Sequence, residues 1–510
     1  MRGLMQDVPL TMELVRRRLG RHSGPRAVVT GTEGEPRRST WAETGERSAR
    51  LRGALAQMRI GAGDRVATFA RNHHPHLELM LAVPAADAVL NPVNTRLTPD
   101  QVAWILNHSM ARVLFADAGL IGLLDPVRDQ LEYVERVVVI DDEYEQLLAD
   151  AEPDHSPVAA GEDDALALCY TSGTAGDPKG VLFSHRSTIL HALSLTMADS
   201  HAVSRAHTVM PITAVCHVLA WSLPYAAALT GADLVLQGPS NEPRHLAKLI
   251  ESERVTTGAA VPTVWLDMEA LFDGDEFDLS SMRELLIGGM PVPKPLIRRY
   301  RERGITIAQG WGMTEMSPSG TMSRETGEGE GASNQGTAMA LVELRLVGDD
   351  GAELDWDGAT VGELEVRGPC VIAEYYEPTQ DASDRFRDGW LRTGDLARID
   401  PDGTVEIVDR AKDLVKSGGE WISSVELESA IAAHPAVQEA AVVAVPDEKW
   451  GERPLALVVA GTALEQAELA GFLEERVARW WIPERLELVD EIPKTSVGKY
   501  DKRRIRELYA

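Results

Sequence analysis

The segment Tyr170-Thr171-Ser172-Gly173-Thr174-Ala175-Gly176-Asp177-Pro178-Lys179-Gly180 constrains this chain more than any other. It follows the apolar, strand-like run Ala165-Leu166-Ala167-Leu168-Cys169. Glycines without a Cβ let backbone N–H groups converge on an anion, while hydroxyls and one lysine add donors and charge. That is phosphate-handling chemistry. It is not the pattern G-x-x-x-x-G-K-[ST], because glycine follows the lysine and no hydroxyl residue comes next to hold a metal.

Size and charge narrow the field. A chain of 510 residues has room for two to four domains of about 150 residues each. With 44% hydrophobic and 25% charged residues, it has ample material for a core. The net charge of −28 argues against a nucleic-acid or anionic-membrane surface. Anionic ligands must then be drawn in by local positive charge. Cys169, Cys216 and Cys370 are odd in number and far apart, so they form neither a disulfide framework nor a metal cluster. The first twenty residues end in Val15-Arg16-Arg17-Arg18-Leu19 and lack the apolar core of a signal peptide. Asp7 and Glu13 count against a transit peptide, and no window has the apolar length of a membrane span. The expected compartment is the reducing cytoplasm.

Along the chain, apolar runs at 65–70, 112–116 and 136–140 read as buried parallel strands. Helical patterns sit between them, including 99–107, where Thr98 caps and Pro99 and Asp100 suit the first turn. Strand and helix alternate again over 165–307, which predicts an α/β fold with at least two such units. From 342 to 408 short strands are separated by Asp350-Gly351, Asp357-Gly358, Asp388-Gly389 and Asp402-Gly403, the pattern of a β-rich subdomain. The Gly/Glu/Ser-rich stretch 324–335 reads as a mobile loop. After 412 helix and strand alternate once more.

On these residues the sequence resembles the adenylate-forming enzymes: acyl-CoA synthetases, luciferases and peptide-synthetase adenylation domains. Their phosphate loop reads [ST]-S-G-[ST]-[TS]-G-x-P-K-G, and this chain departs once, with Ala175 in place of a hydroxyl residue. Further matches follow in the family's order: Gln309-Gly310-Trp311-Gly312-Met313-Thr314-Glu315, Arg392-Thr393-Gly394-Asp395, Asp409-Arg410-Ala411-Lys412-Asp413, Lys416-Ser417-Gly418-Gly419-Glu420-Trp421 and Pro493-Lys494-Thr495-Ser496-Val497-Gly498-Lys499. The resemblance is closest to bacterial medium- and long-chain fatty acyl-CoA synthetases, which share His217-Val218-Leu219-Ala220-Trp221 and Val261-Pro262-Thr263-Val264-Trp265. It implies a large N-terminal domain, 1–408, made of two α/β units and the β-rich subdomain. A hinge at 409–412 would join it to a small mobile α+β domain, 413–510, that rotates between two half-reactions.

The resemblance implies ATP, Mg²⁺ and CoA as cofactors and a small carboxylate as substrate, with no nucleic acid partner; it leaves a homodimer open. The nucleotide would be held by Thr171, Ser172, Gly173, Thr174, Gly176 and Lys179 of the loop, with Gly289, Gln309, Gly310, Trp311 and Thr314. Gly289 would let it approach the backbone closely, and Gln309 and Trp311 would flank adenine. Asp395 would accept hydrogen bonds from the ribose diol, assisted by Arg410. Lys412, Lys416 and Trp421 match a nucleotide-contacting segment, although Trp421 also reads as a core aromatic. Glu315 offers a hard oxygen to Mg²⁺ with Thr171 as hydroxyl partner, and Lys499 would be the mobile catalytic cation.

The carboxylate would lie near His217 and Trp221, which share a face if their segment is helical. In the resembling synthetases that histidine lies beside the nucleotide and the tryptophan gates an acyl tunnel. Val215, Met290 and Met316 are apolar, so no charged partner for an amino acid's second polar end is visible. The expected reaction is ATP-dependent formation of an acyl-adenylate, from a medium- or long-chain fatty acid, and its transfer to CoA. Transfer to an amine or a carrier-protein thiol, or action on an aromatic or short acid, is the alternative.

Overall fold

The computed structural model describes residues 4–171, 178–274, 276–290, 292, 294–324, 334–378, 382–418, 420–495 and 499–509. Ser172, Gly173, Thr174 and Gly176 of the phosphate loop lie outside these residues, as do 325–333 of the stretch expected to be mobile.

Two sheets with parallel cores are built from the first two-thirds of the chain. In one, six strands lie in the order Arg136–Ile140, Ala111–Asp117, Arg65–Phe69, Val89–Pro92, Ala165–Tyr170 and Gly180–Ser184. The first five are parallel and the last is antiparallel to its neighbour. The three apolar runs expected to be parallel strands therefore lie side by side, as residues without polar positions must when both faces are covered. The helix Pro99–His108 follows with a Thr98 capping box.

The second sheet has nine strands: Thr337–Ala338, Thr321–Arg324, Thr306–Trp311, Glu284–Gly288, Thr257–Ala260, Thr208–Pro211, Asp233–Leu236, Ala27–Thr30 and Arg37–Thr40. The six from Thr306–Trp311 to Ala27–Thr30 are parallel. Here the structure settles two points that the sequence reading left open. Ala165–Tyr170 and Gly180–Ser184 complete the first sheet rather than open the second, and the second recruits Ala27–Thr30 from far upstream, with Val28 opposite Leu234. Local periodicity identifies a strand but carries nothing about which sheet it joins. The helix His74–Ala85 is buried along almost its whole length, and a single hydrophobic cluster joins its Leu77 and Leu81 to Val66 and Leu90 of one sheet and Val28 and Leu234 of the other.

The β-rich subdomain is a third, antiparallel sheet of six strands, including Glu343–Val347, Gly362–Arg367, Trp390–Ile399 and Val405–Arg410. Gly389 and Gly403 turn its hairpins with φ of +80° and +89°, a conformation open to glycine. The last hundred residues form a separate α+β unit. Its sheet orders Glu420–Ile422, Val415–Ser417, Gly451–Ala460 and Val437–Asp447, with Arg485–Leu488 parallel to Gly451–Ala460, and it has its own hydrophobic clusters. Among the described residues no helix is long and apolar enough to cross a membrane.

Candidate active site

Three strands of the large domain end at one place. Ala165–Tyr170 runs into the phosphate loop, Glu284–Gly288 into Gly289, and Thr306–Trp311 into the turn that carries Glu315; in the last pair Ile287 lies opposite Gln309 and Gly288 opposite Gly310. Carboxyl ends of parallel strands are where open α/β sheets bind ligands, since the connections there leave a crevice. The neck of the phosphate loop is closed by Thr171, whose N–H donates to the Lys179 carbonyl at 3.0 Å and whose hydroxyl accepts from the Lys179 N–H at 3.1 Å.

Asp395, on Trp390–Ile399, is 3% exposed and faces these strand ends. One carboxylate oxygen accepts from the Trp311 indole N–H at 2.9 Å and the other from Arg410 Nε at 3.1 Å. Its N–H donates to Thr393 Oγ1 at 3.1 Å, and that hydroxyl donates to the Leu364 carbonyl. The carboxylate is thus fixed in orientation and keeps acceptor capacity for a diol. Trp311, expected to flank adenine, also anchors Asp395. Glu315 is buried in the short turn Thr314–Met316, and one of its oxygens accepts from the Tyr375 hydroxyl at 2.7 Å. Met316 is fully buried in the hydrophobic cluster of the β-rich subdomain, close under Trp311 and Gly320. Gln309 is buried, and Met290 is half-buried beside Gly289.

The small domain contributes Lys499. A Cβ on Gly289 would stand 3.5 Å from Lys499 Cε, so the lysine stem lies along glycine backbone. Burial, opposed by Asp395 and Glu315 and reinforced by Arg410 and Lys412, brings its ammonium down to about 8. The same lysine bears on His217. Burial first, then the charges of Lys499 and Arg96, push that imidazole down to about 4, so it is neutral at pH 7. Carboxylate, guanidinium, ammonium and neutral imidazole from two domains therefore converge around Gly289.

The segment bearing His217 and Trp221 is helical, but left-handed. Val218, Leu219, Ala220, Trp221 and Ser222 all have positive φ, from 34° to 54°, with Leu219 at (51°, 47°) and Ala220 at (47°, 51°). None is glycine, and each such residue costs about 1–2 kcal/mol in Cβ–carbonyl crowding. The sequence reading gave the segment no hand; the left-handed turn still closes a helical repeat, with the Trp221 N–H reaching the His217 carbonyl at 3.4 Å. Side chains hold both ends. Asn72 accepts from the Val215 N–H and donates to the carbonyls of Pro211 and Thr213, and Ser222 Oγ pairs with the buried His191 at 2.8 Å. The far edge of the Trp221 indole stands 3.6 Å from where a Cβ on Gly288 would be. Behind the turn His76, Met80, Val215, Ala220 and Pro224, among others, line a gap too narrow for a water molecule.

At the linker, Asp409 is 1% exposed and its carboxylate accepts from the N–H of Ser424 at 2.5 Å and its hydroxyl at 2.7 Å. Lys502 donates to the same hydroxyl and pairs with Glu428, and Arg506 pairs with Asp413. Lys412 is exposed, and its carbonyl accepts from Arg506. Lys416 and Trp421 face each other across a hairpin with Nζ 4.9 Å from the ring centroid. Trp421 is 49% exposed, which corrects its reading as a core aromatic.

A family model of AMP-binding enzymes matches residues 15–376, and the C-terminal domain of AMP-binding enzymes matches 426–499. The chain belongs to the AMP-binding enzyme family. It is 42% identical over 93% of its length to a long-chain-fatty-acid–CoA ligase of Thermus thermophilus, of which it covers 91%. It is 38% identical to a 3-methylmercaptopropionyl-CoA ligase of Ruegeria lacuscaerulensis, with 99% of this chain and 98% of the other aligned. The crystal structure of the anthranilate CoA ligase AuaEII in complex with anthranoyl-AMP superposes with a TM-score of 0.90 at 25% identity, over 99% of each chain.

In this AMP-binding enzyme several site-facing residues escaped the sequence reading. Tyr375 reaches Glu315 from a different strand connection, and Arg96 and Asn72 come from the first sheet's loops. A Tyr375-Tyr376 doublet in a loop is the one local signal for the first. Arg96 and Asn72 sit in polar loops with nothing to separate them from ordinary turn residues.

Proposed function

We propose that this enzyme joins an apolar monocarboxylate to ATP, giving acyl-adenylate and pyrophosphate, and then passes the acyl group to CoA with release of AMP. The observation that supports this most is the approach of Lys499 from the small domain to Gly289, within electrostatic range of Asp395, Glu315 and His217. In the first step a carboxylate oxygen attacks the α-phosphorus and the bond to the β-phosphate oxygen breaks. Negative charge gathers on the pentacoordinate phosphorus, and a flexible ammonium bridging carboxylate and phosphate stabilises it. With its pKa at about 8, Lys499 is roughly nine-tenths protonated at pH 7. A neutral His217 leaves the incoming carboxylate free of a competing ion pair.

Mg²⁺ enters as part of the ATP substrate. Among the described residues no group of three or more His, Cys, Asp or Glu side chains could hold a metal alone. An ion carried by phosphates takes only one or two protein oxygens, and Glu315 with the Thr171 hydroxyl fits that role. Asp395 and Arg410 orient the ribose, and Lys179 faces the phosphates. Between the steps the small domain turns about 409–412, carrying Lys499 away and opening the site to CoA, whose thiol sulfur attacks the acyl carbonyl as AMP leaves and the thiol proton passes to solvent.

The carboxylate is read as a medium- or long-chain fatty acid, supported by the apolar side chains of Val215 and Met290 and by the long-chain relative. A short or thioether acid is the second reading, favoured by the 3-methylmercaptopropionyl-CoA relative. Pyrophosphate release with ATP, Mg²⁺ and a panel of straight-chain, thioether and aromatic acids tests both. Rising kcat/KM with chain length, at about 0.8 kcal/mol for each methylene buried, supports the fatty acid. A sharp optimum at a short thioether acid supports the second reading. No pyrophosphate with any acid refutes adenylation, and acyl transfer to amines or a carrier protein in preference to CoA refutes the acceptor.

A further inference from the structure

The connection 370–377, between Gly362–Arg367 and Phe386–Arg387, runs as a strap across two walls of the site. On one side the Ile372 N–H donates to the Glu315 carbonyl at 2.9 Å and Ser317 Oγ donates to the Cys370 carbonyl at 3.1 Å. On the other the Tyr376 N–H donates to the Gly180 carbonyl at 2.9 Å, just past the phosphate loop. A Cβ on Gly180 would come within 3.2 Å of the Tyr376 Cβ, so the two segments cross closely there. His108 clamps the far end, with Nε2 at 2.8 Å from the Glu377 carbonyl and Nδ1 at 2.8 Å from the Tyr170 hydroxyl.

At the middle of the strap Tyr375 touches both walls with one side chain. Its hydroxyl donates to one oxygen of Glu315 at 2.7 Å, and the Lys179 ammonium stands 4.9 Å from the centroid of its ring. It is 5% exposed, and Phe386 meets the ring edge-on at 5.7 Å, so the ring has little freedom to turn. A carboxylate bonded at one oxygen by a fixed donor presents the other in a set direction, and a cation over an aromatic face is held without neutralising its charge.

We propose that Tyr375 is a positioning residue for Mg·ATP. Its hydroxyl aims the free oxygen of Glu315 at the metal on the phosphates, and its ring keeps Lys179 over the phosphate loop. The inference rests on the adenylating function above, yet its test needs no carboxylate substrate.

The test is calorimetric binding of α,β-methylene-ATP to the full-length protein, with Mg²⁺ and with EDTA. Wild type should bind more tightly with Mg²⁺. Tyr375→Phe keeps the ring and should lose about tenfold in affinity with Mg²⁺ while its affinity in EDTA stays within twofold of wild type. Tyr375→Leu removes the ring as well and should weaken binding in both conditions. Equal losses for Tyr375→Phe with and without metal, or no loss in either, overturn the inference and leave the function standing. A wild-type protein that binds no analogue refutes both. Should Tyr375→Phe fail to fold, Glu315→Gln reads the other end of the same bond: the selective loss of the Mg²⁺ gain is expected, and an undiminished gain overturns the inference.

Discussion

The wall proposed to face the nucleotide and the wall proposed to face the carboxylate are built by opposite means. The first combines parallel strand ends with the antiparallel strand that carries Asp395, and its residues are tied by hydrogen bonds: Thr171 to Lys179, Asp395 to Trp311 and Arg410, Glu315 to Tyr375. The second hangs on five consecutive left-handed residues without a glycine, tethered at each end by Asn72 and His191. A backbone at rest suits chemistry that is the same for every acid. A strained backbone persists only where its surroundings over-determine it, and here it carries the indole that stands on Gly288. The division of labour we draw is that the nucleotide wall sets the rate of adenylation and the left-handed turn selects the acid.

The largest effect should come from the nucleotide side. Lys499→Ala should lower adenylation by about 10³-fold, the loss expected for one preorganised charge at a developing anion. Transfer to CoA from supplied acyl-adenylate should fall far less, because in the proposed cycle the small domain has then turned away. Pyrophosphate release and thioester formation, assayed separately, check this; near-normal pyrophosphate release would break the comparison at its stronger wall.

The pH profile sharpens the same point. Lys499 acts as a cation, and its protonated form is lost as pH rises through about 8. kcat/KM for ATP in the adenylation step reports the free enzyme, so it should fall about tenfold per pH unit above that value. A Lys499→Arg variant, charged throughout, should show no such fall, whatever its absolute rate. A profile flat to pH 10 in the wild type would contradict the role given to the ammonium.

This contrast also explains what the sequence made legible. Phosphate, ribose and metal chemistry demand fixed residue types within short windows, so Lys179, Glu315, Asp395 and Lys499 stand out in the chain itself. The two α/β units, the β-rich subdomain and the small α+β domain are legible for a similar reason, since periodicity and Asp-Gly turns are local. The recruitment of Ala27–Thr30 into the second sheet is not, because it is decided by pairing with residues two hundred positions away. Nor is the hand of the turn after His217: nothing in Val218-Leu219-Ala220 marks it as left-handed, and tertiary tethers set it. Tyr375 was missed because its role depends on a strap that packs against two distant loops.

The smallest effect should be close to neutral. Ala220 is left-handed and buried, and Ala220→Gly removes a Cβ whose crowding costs about 1–2 kcal/mol while giving up one buried methyl worth about 0.8 kcal/mol. Stability should rise by up to about 1 kcal/mol, before the larger freedom of glycine in the unfolded chain is subtracted. Thermal unfolding should show an unchanged or slightly raised Tm. A fall of several degrees would mean that the turn is not strained.

The most direct test of the division of labour is the profile of kcat/KM against acid chain length, measured for wild type, Asp395→Asn and Trp221→Ala. Asp395→Asn weakens only the nucleotide wall and should lower the whole curve without moving its optimum. Trp221→Ala should move the optimum by two or more carbons while leaving Mg·ATP affinity within about twofold of wild type. An optimum that shifts in Asp395→Asn, or a Trp221→Ala curve that is scaled but not displaced, would contradict the account.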